Sequence, residues 1–123
     1  PFDRPKVRLP GGAGSAILAS TAGRTILWRT RHDPRTFVES LDFVSACGHV
    51  ERVVTPLAVL KRNGGCLQPE SLHPGVTFEV LQEATGFEVG RPDTLPTTPP
   101  PSEEERQALE AVDPEGIRYL EFH

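Results

Sequence analysis

The chain has 123 residues, 37% of them hydrophobic and 24% charged, with a net charge of −4. That is room for one domain with a core, in the composition range of globular rather than disordered chains. The scattered Arg and Lys exclude a nucleic-acid footprint, and no apolar run nears the ~20 residues of a membrane helix.

In chain order, residues 7–9 read as a short extended lead-in, and Gly11, Gly12 and Gly14 make a flexible turn. Residues 15–20 follow as a short helix ended by Gly23. Residues 25–31 are an apolar run flanked by arginine, which predicts a buried strand of a mostly parallel sheet. Asp33-Pro34 is a helix start, proline being tolerated at the first helical position, and Phe37 would meet Leu41 one turn on. Residues 52–61 are strand-like, with Pro56 forcing a break or an edge position. Asn63-Gly64-Gly65 is a hairpin turn that returns through Cys66-Leu67.

Pro74-Gly75 forms a rigid turn, because proline fixes φ and glycine reaches angles closed to other residues. Thr77 then caps a helix to Ala84, with Glu79 near its positive end and Gly86 expected at a left-handed stop. Residues 87–89 predict a short strand. Residues 90–101 hold five Pro and three Thr, too stiff and donor-poor for regular structure, so an extended surface-hugging segment is expected. Ser102 and Glu105 form a capping box for a last helix with an apolar edge at Leu109 and Val112, stopped at Asp113-Pro114. Strands alternating with short helices mean α/β. The expected division is an α/β core over residues 1–90 and a Pro-rich segment with a capping helix over 91–123.

Five segments together resemble one family. Leu9-Pro10-Gly11-Gly12-Ala13-Gly14-Ser15 is similar to a Gly-rich loop, and Thr25-Ile26-Leu27-Trp28-Arg29-Thr30-Arg31-His32 to the strand that follows it. Arg35-Thr36-Phe37-Val38-Glu39-Ser40-Leu41-Asp42-Phe43-Val44-Ser45 resembles an Arg-Phe-Val-Glu segment leading into a Val-Asp-Phe run, and Val53-Val54-Thr55-Pro56-Leu57-Ala58-Val59 a Val-Ile-Thr-Asp-Leu-Gly-Val strand pair. Ser71-Leu72-His73-Pro74-Gly75-Val76-Thr77, running on to Gly86-Phe87, resembles the closing segment of the β subunit of glutaconate-type, family I CoA-transferases. The resemblance spans about residues 7–118. It implies an open, mostly parallel α/β sheet of the CoA-transferase (NagB/RpiA-like) type, here an incomplete domain.

The resemblance also implies a chemistry. In that family the Gly-rich loop offers a backbone amide to the oxyanion on the thioester carbonyl, a role that falls on Gly11 and Gly12, with Ala13 and Gly14 completing the CoA-binding loop. Bare amides at a helix start suit an anion independently of the family. The loop is not GxGxxG and lacks a Lys-Ser/Thr ending, so nucleotide-loop readings fail. Many relatives place an aspartate where this chain has Gly14-Ser15; Ser15 is then a candidate for capping the helix and for the substrate pocket. His32, which follows a strand end, is the other pocket candidate, while His73 reads as a turn residue. The family's nucleophilic glutamate lies in a Glu-Asn-Gly-like motif upstream of the loop. No glutamate here is followed by Asn-Gly, so no nucleophile is assigned.

Coenzyme A thioester is expected as substrate, with no tightly bound cofactor and no metal. Cys47 and Cys66 form no CxxC pair and are expected as free thiols in a reducing, cytoplasmic setting. The expected partners are a CoA-transferase α subunit, the other half of the β subunit, or both, with no nucleic acid and no membrane. Two alternatives remain open: an acyl-CoA hydrolase or ring-opening enzyme on the same scaffold, and a non-catalytic binding domain.

Overall fold

Pro56 has no amide to give a sheet ladder, and the chain turns there between two strands. The computed structural model describes residues 11–122, so the lead-in expected at residues 7–9 lies outside the described residues. Strand β1 is Thr25–Trp28, β2 Val50–Val54, β3 Ala58–Asn63 and β4 Cys66–Leu72. The helices are α1 (Ala13–Thr21), α2 (Phe78–Glu83) and α3 (Glu103–Val112), followed by a 3-10 segment at Ile117–Phe122.

The α/β class holds, but the sheet among the described residues is mixed rather than mostly parallel. Its order is β1-β2-β3-β4: β1 runs parallel to β2, and the two later pairs are antiparallel. The reason is local. A three-residue turn at 55–57 and a two-residue turn at Gly64-Gly65 can only return the chain antiparallel. Gly64 and Gly65 both have positive φ, 57° and 93°, which a side chain would resist. Thr55 holds the earlier turn, its Oγ1 accepting from the amides of Leu57 and Ala58 at 3.2 Å each.

The core lies where α2 meets β3 and its neighbours. Val53, Ala58, Leu60, Leu72, Leu81 and Val89 are buried, and Phe37, Leu57, Phe78 and Phe87 pack around them. Fully burying Leu60 and Leu81 stabilises the fold by about 1.5–3 kcal/mol each. Pro69 is also fully buried, at a register shift where Val59 faces Ser71 and Leu60 faces Pro69. The missing amide is tolerated there because the ladder is already interrupted.

The Pro-rich segment is extended, as expected, and lies along the free edge of β4. The amide of Leu72 donates to the Pro96 carbonyl at 3.0 Å, and that of Thr98 returns to the Leu72 carbonyl at 2.7 Å. An edge with unpaired amides invites foreign strands, and the segment covers it. The capping box of α3 is formed: Ser102 Oγ accepts from the Glu105 amide at 3.2 Å, and the Glu105 carboxylate accepts from the Ser102 amide at 2.7 Å.

Four expectations are corrected. β1 is half-exposed rather than buried, with Ile26 at 53% and Trp28 at 52%. Asp33-Pro34 opens a turn, not a helix: the Asp33 carboxylate takes the amides of Arg35 and Thr36 at 3.0 and 2.8 Å, satisfying them without a helix. Phe37 therefore never meets Leu41, which is 64% exposed. Residues 87–89 form no strand, because their polar partner is a side chain; Gln82 Oε1 accepts from the Val89 amide at 2.9 Å. Finally, Gly86 is not left-handed; only Gly64, Gly65, Gly75 and Gly116 have positive φ among the described residues. Gly86 is instead a close-approach glycine, pairing with Val38, and a Cβ there would lie 2.7 Å from the Phe37 carbonyl oxygen.

Candidate functional site

Glycine at positions 11, 12 and 14 leaves the start of α1 bare. Gly12 is the N-cap, at φ −89° and ψ 21°, and no side chain caps the helix. The helix begins at Ala13, two residues earlier than expected, which places Ser15 inside its first turn and not at the cap. The first amides of any helix lack internal partners; residues 11–15 are exposed, and among the described residues nothing lies within 4 Å of a Cβ built on Gly11, Gly12 or Gly14. No acidic residue occupies the first turn to compete with an incoming anion. Chemically, the loop can donate hydrogen bonds to a negatively charged oxygen.

His32 sits elsewhere, beyond the end of β1. Its Nδ1 lies 3.0 Å from Thr55 Oγ1 and its Nε2 3.0 Å from Thr85 Oγ1, while its ring stacks on Phe37 at 3.9 Å. Thr85 Oγ1 donates to the Leu81 carbonyl at 2.7 Å, so it accepts from His32 Nε2–H. Thr55 Oγ1 already accepts from two amides, so its proton faces either His32 Nδ1 or the Ala58 carbonyl. One neutral tautomer satisfies this set, with the proton on Nε2. Burial pushes the His32 pKa down, against a smaller upward pull from Asp33.

His73 holds the same turn from the other side. Its Nε2 donates to the Thr55 carbonyl at 2.9 Å, and its Nδ1 lies 3.1 Å from Thr98 Oγ1. The residues that complete this cluster, Thr55, Thr85 and Thr98, gave no signal in sequence, since His32 is 23 and 53 residues from its two partners. Arg52 and Glu70 pair across the sheet with two bonds, at 2.6 and 3.0 Å, and Arg52 also bonds Glu51. The Arg52 hydrogen bond holds the Glu70 carboxyl below its usual range.

A cleft of about 660 Å³ opens at the other end of the sheet, between Arg24, His49, Glu51 and the Gly64-Gly65 turn. Among the described residues no three His, Cys, Asp or Glu side chains could hold a metal ion. Cys47 and Cys66 are exposed and unbridged. No helix of the described residues is long and apolar enough to cross a membrane.

An α/β chain of this topology has the fold of the CoA-transferase β subunits. The chain is 32% identical to one of the subunits of the 3-oxoadipate CoA-transferase of Pseudomonas knackmussii, over 91% of its own length and 50% of that protein's. It is 34% identical to the cholesterol ring-cleaving hydrolase IpdB subunit of Mycobacterium tuberculosis, over 99% of its length and 55% of that protein's. The crystal structure of Rhodococcus jostii IpdAB superposes with a TM-score of 0.83 at 28% identity, covering 96% of this chain and 54% of that one. Glutaconate coenzyme A-transferase from Acidaminococcus fermentans shares the fold, with a TM-score of 0.75 at 20% identity over 89% of this chain and 48% of that one. No protein-family model matches the chain. Over the span it covers, the chain belongs with the β subunits of the family I CoA-transferases. It spans about half the length of the curated relatives it matches.

Proposed function

We propose that this chain is part of a cytoplasmic CoA-transferase β subunit that helps move CoA from an acyl-CoA donor to a carboxylic acid acceptor. The observation that carries the reading is the uncapped, solvent-open start of α1 at Gly11 and Gly12, in a chain of this family. A carboxylate nucleophile attacks the thioester carbonyl, the π electrons move onto oxygen, and an amide of the loop stabilises that oxyanion. The thiolate of CoA then leaves. One such donor lowers the barrier by about 3 kcal/mol. Ala13 and Gly14 complete the CoA-facing loop, and Ser15 lies beside it. His32 contributes by position rather than by proton transfer, because both ring nitrogens already have threonine partners.

The nucleophile comes from another segment. Glu51, Glu70, Glu79 and Glu103 are tied to arginines, and Glu105 closes the capping box. An α subunit and the other half of the β subunit complete the site, no tightly bound cofactor takes part, and the 123-residue chain is inactive alone. Residues 91–123 add to the core of residues 1–90 a strap along β4 and a capped helix, α3, that buries no residue of its own.

A second reading, a hydrolase or ring-opening enzyme on the same scaffold, is favoured by the 34% identity to the IpdB subunit. The complete subunit, purified with its partner, separates the two. Exchange of CoA between small acyl-CoA donors and carboxylates supports the transferase. Labelled oxygen from water entering the released acid in one turnover, with no acceptor present, supports the hydrolase. Activity from the 123-residue chain alone overturns the assignment of the nucleophile elsewhere.

A further inference from the structure

Among the described residues, little holds helix α1 in place. It buries no residue, and Ile17 and Leu18 are 63% and 68% exposed. The hydroxyls of Ser20 and Thr21 turn back to the helix's own Ile17 carbonyl. Its half-buried residues are Ala16 and Ala19, a spacing that puts small side chains on one face. On that face the helix backbone comes directly against the chain just before β2. A Cβ built on Gly48 would lie 2.1 Å from the Ala19 carbonyl oxygen, 2.6 Å from its carbonyl carbon and 2.8 Å from its Cβ.

We infer that Gly48 is a positioning residue for the Gly-rich loop: its bare Cα seats α1 against the segment leading into β2 and thereby fixes where the amides of Gly11 and Gly12 point. This rests on the oxyanion role proposed above. The atom that a side chain at Gly48 would strike is backbone, so no rotamer change relieves the overlap. Restoring an ordinary contact requires the helix to move by about an ångström, given a first contact of 2.1 Å. Gly12 lies seven residues before Ala19, about 10 Å along a helix rising 1.5 Å per residue, and a rigid helix carries the displacement to it. A misplacement of about 1 Å at a reacting centre costs about 100-fold in rate.

The test uses the complete enzyme with its partner subunit. Gly48→Ala is expected to lower kcat about 100-fold while KM for the acyl-CoA changes little, because the lost interaction belongs to the transition state. Ala19→Val presses on the same contact from the helix side and is expected to give the same kcat-selective loss; it decides the matter if Gly48→Ala does not fold. Cys47→Ala, next to Gly48 but exposed, is expected to leave kcat unchanged. Hydrogen exchange at residues 13–21 is expected to quicken in both helix-contact variants, a readout independent of the chemistry. Unchanged kcat and unchanged exchange in a folded variant overturn the positioning role. Gly12→Pro removes one loop amide at the N-cap, just before the first helical position that proline favours, and at a negative φ of −89°. If it leaves kcat intact, the oxyanion role of Gly12 fails, and the exchange data still decide whether Gly48 seats the helix.

Discussion

Nε2 of His32 lies 3.0 Å from Oγ1 of Thr85, although 53 residues separate the two in the chain. With Thr55 on the other ring nitrogen and Phe37 stacked beneath, the imidazole joins the end of β1, the 55–57 turn and the C-terminus of α2. His32→Ala removes two hydrogen bonds worth about 1 kcal/mol each and a ring pair worth about 0.5–1.5 kcal/mol. A loss of about 2.5–3.5 kcal/mol, read as a lower urea midpoint of the assembled protein, is expected. An unchanged midpoint refutes the bracing role.

The same histidine predicts how stability depends on pH. Burial lowers its pKa in the fold from the ordinary value of 6.5. As pH falls through 6.5 the unfolded chain takes up a proton that the folded one refuses, so stability declines until pH passes the lowered folded value. Carboxylates act further down: hydrogen bonds from Arg52 to Glu70, and from the amide of Arg118 to Asp113, lower both groups. Their contribution is present above the ordinary values of 4.5 and 3.8 and is lost as pH falls through the depressed ones. Melting temperatures of the wild type and of His32→Gln, compared between pH 7.5 and 5, should diverge in slope. Parallel curves would show that the fold does not lower the His32 pKa.

Much of the fold was legible where the chemistry is local. The Asn63-Gly64-Gly65 turn, the Thr77 cap on the Val80 amide and the Ser102–Glu105 box each depend on residues within a few positions. The misses share a cause. Asp33 satisfied a turn with the side chain that could have capped a helix. Gly86 met the Phe37 carbonyl from a distant segment. Gln82 replaced a ladder partner for Val89. Periodicity carries no trace of such side-chain or long-range substitutions for backbone pairing. At the site, the bare helix start was legible in Gly11 and Gly12, whereas Thr55, Thr85 and Gly48 acquire their roles only in three dimensions.

Two glycines, each required for a different reason, should respond differently to substitution. Gly75 has φ +83° and open space around it, whereas Gly86 has ordinary φ and a carbonyl against its Cα. Gly75→Ala should cost about 1–2 kcal/mol, the left-handed penalty, and Gly75→Asn distinctly less because asparagine visits that region. Gly86→Ala should cost about 1–3 kcal/mol through overlap, with Gly86→Asn at least as costly. Denaturation of the four variants measures this. Recovery with asparagine at position 86 would mean that its backbone, not its packing, demands glycine.

Ile26 and Leu27 point to opposite faces of β1, yet both are open, at 53% and 42% exposure. A strand apolar on both faces is built for the interior of a parallel sheet, but among the described residues only β2 pairs with it. Leu41, Phe43 and Val44 add further exposed apolar surface, at 64%, 71% and 53%. Exposed surface of this kind marks an interface or an aggregation hazard. The 123-residue chain, purified by itself, is therefore expected to self-associate, with sedimentation showing species larger than a monomer. Ile26→Lys with Leu27→Glu should shift it toward the monomer, and the same pair placed in the complete subunit should reduce recovery of the assembled protein. A soluble monomer at high concentration with a cooperative melt would sink the expectation, because β1 would then be stable as an uncovered edge.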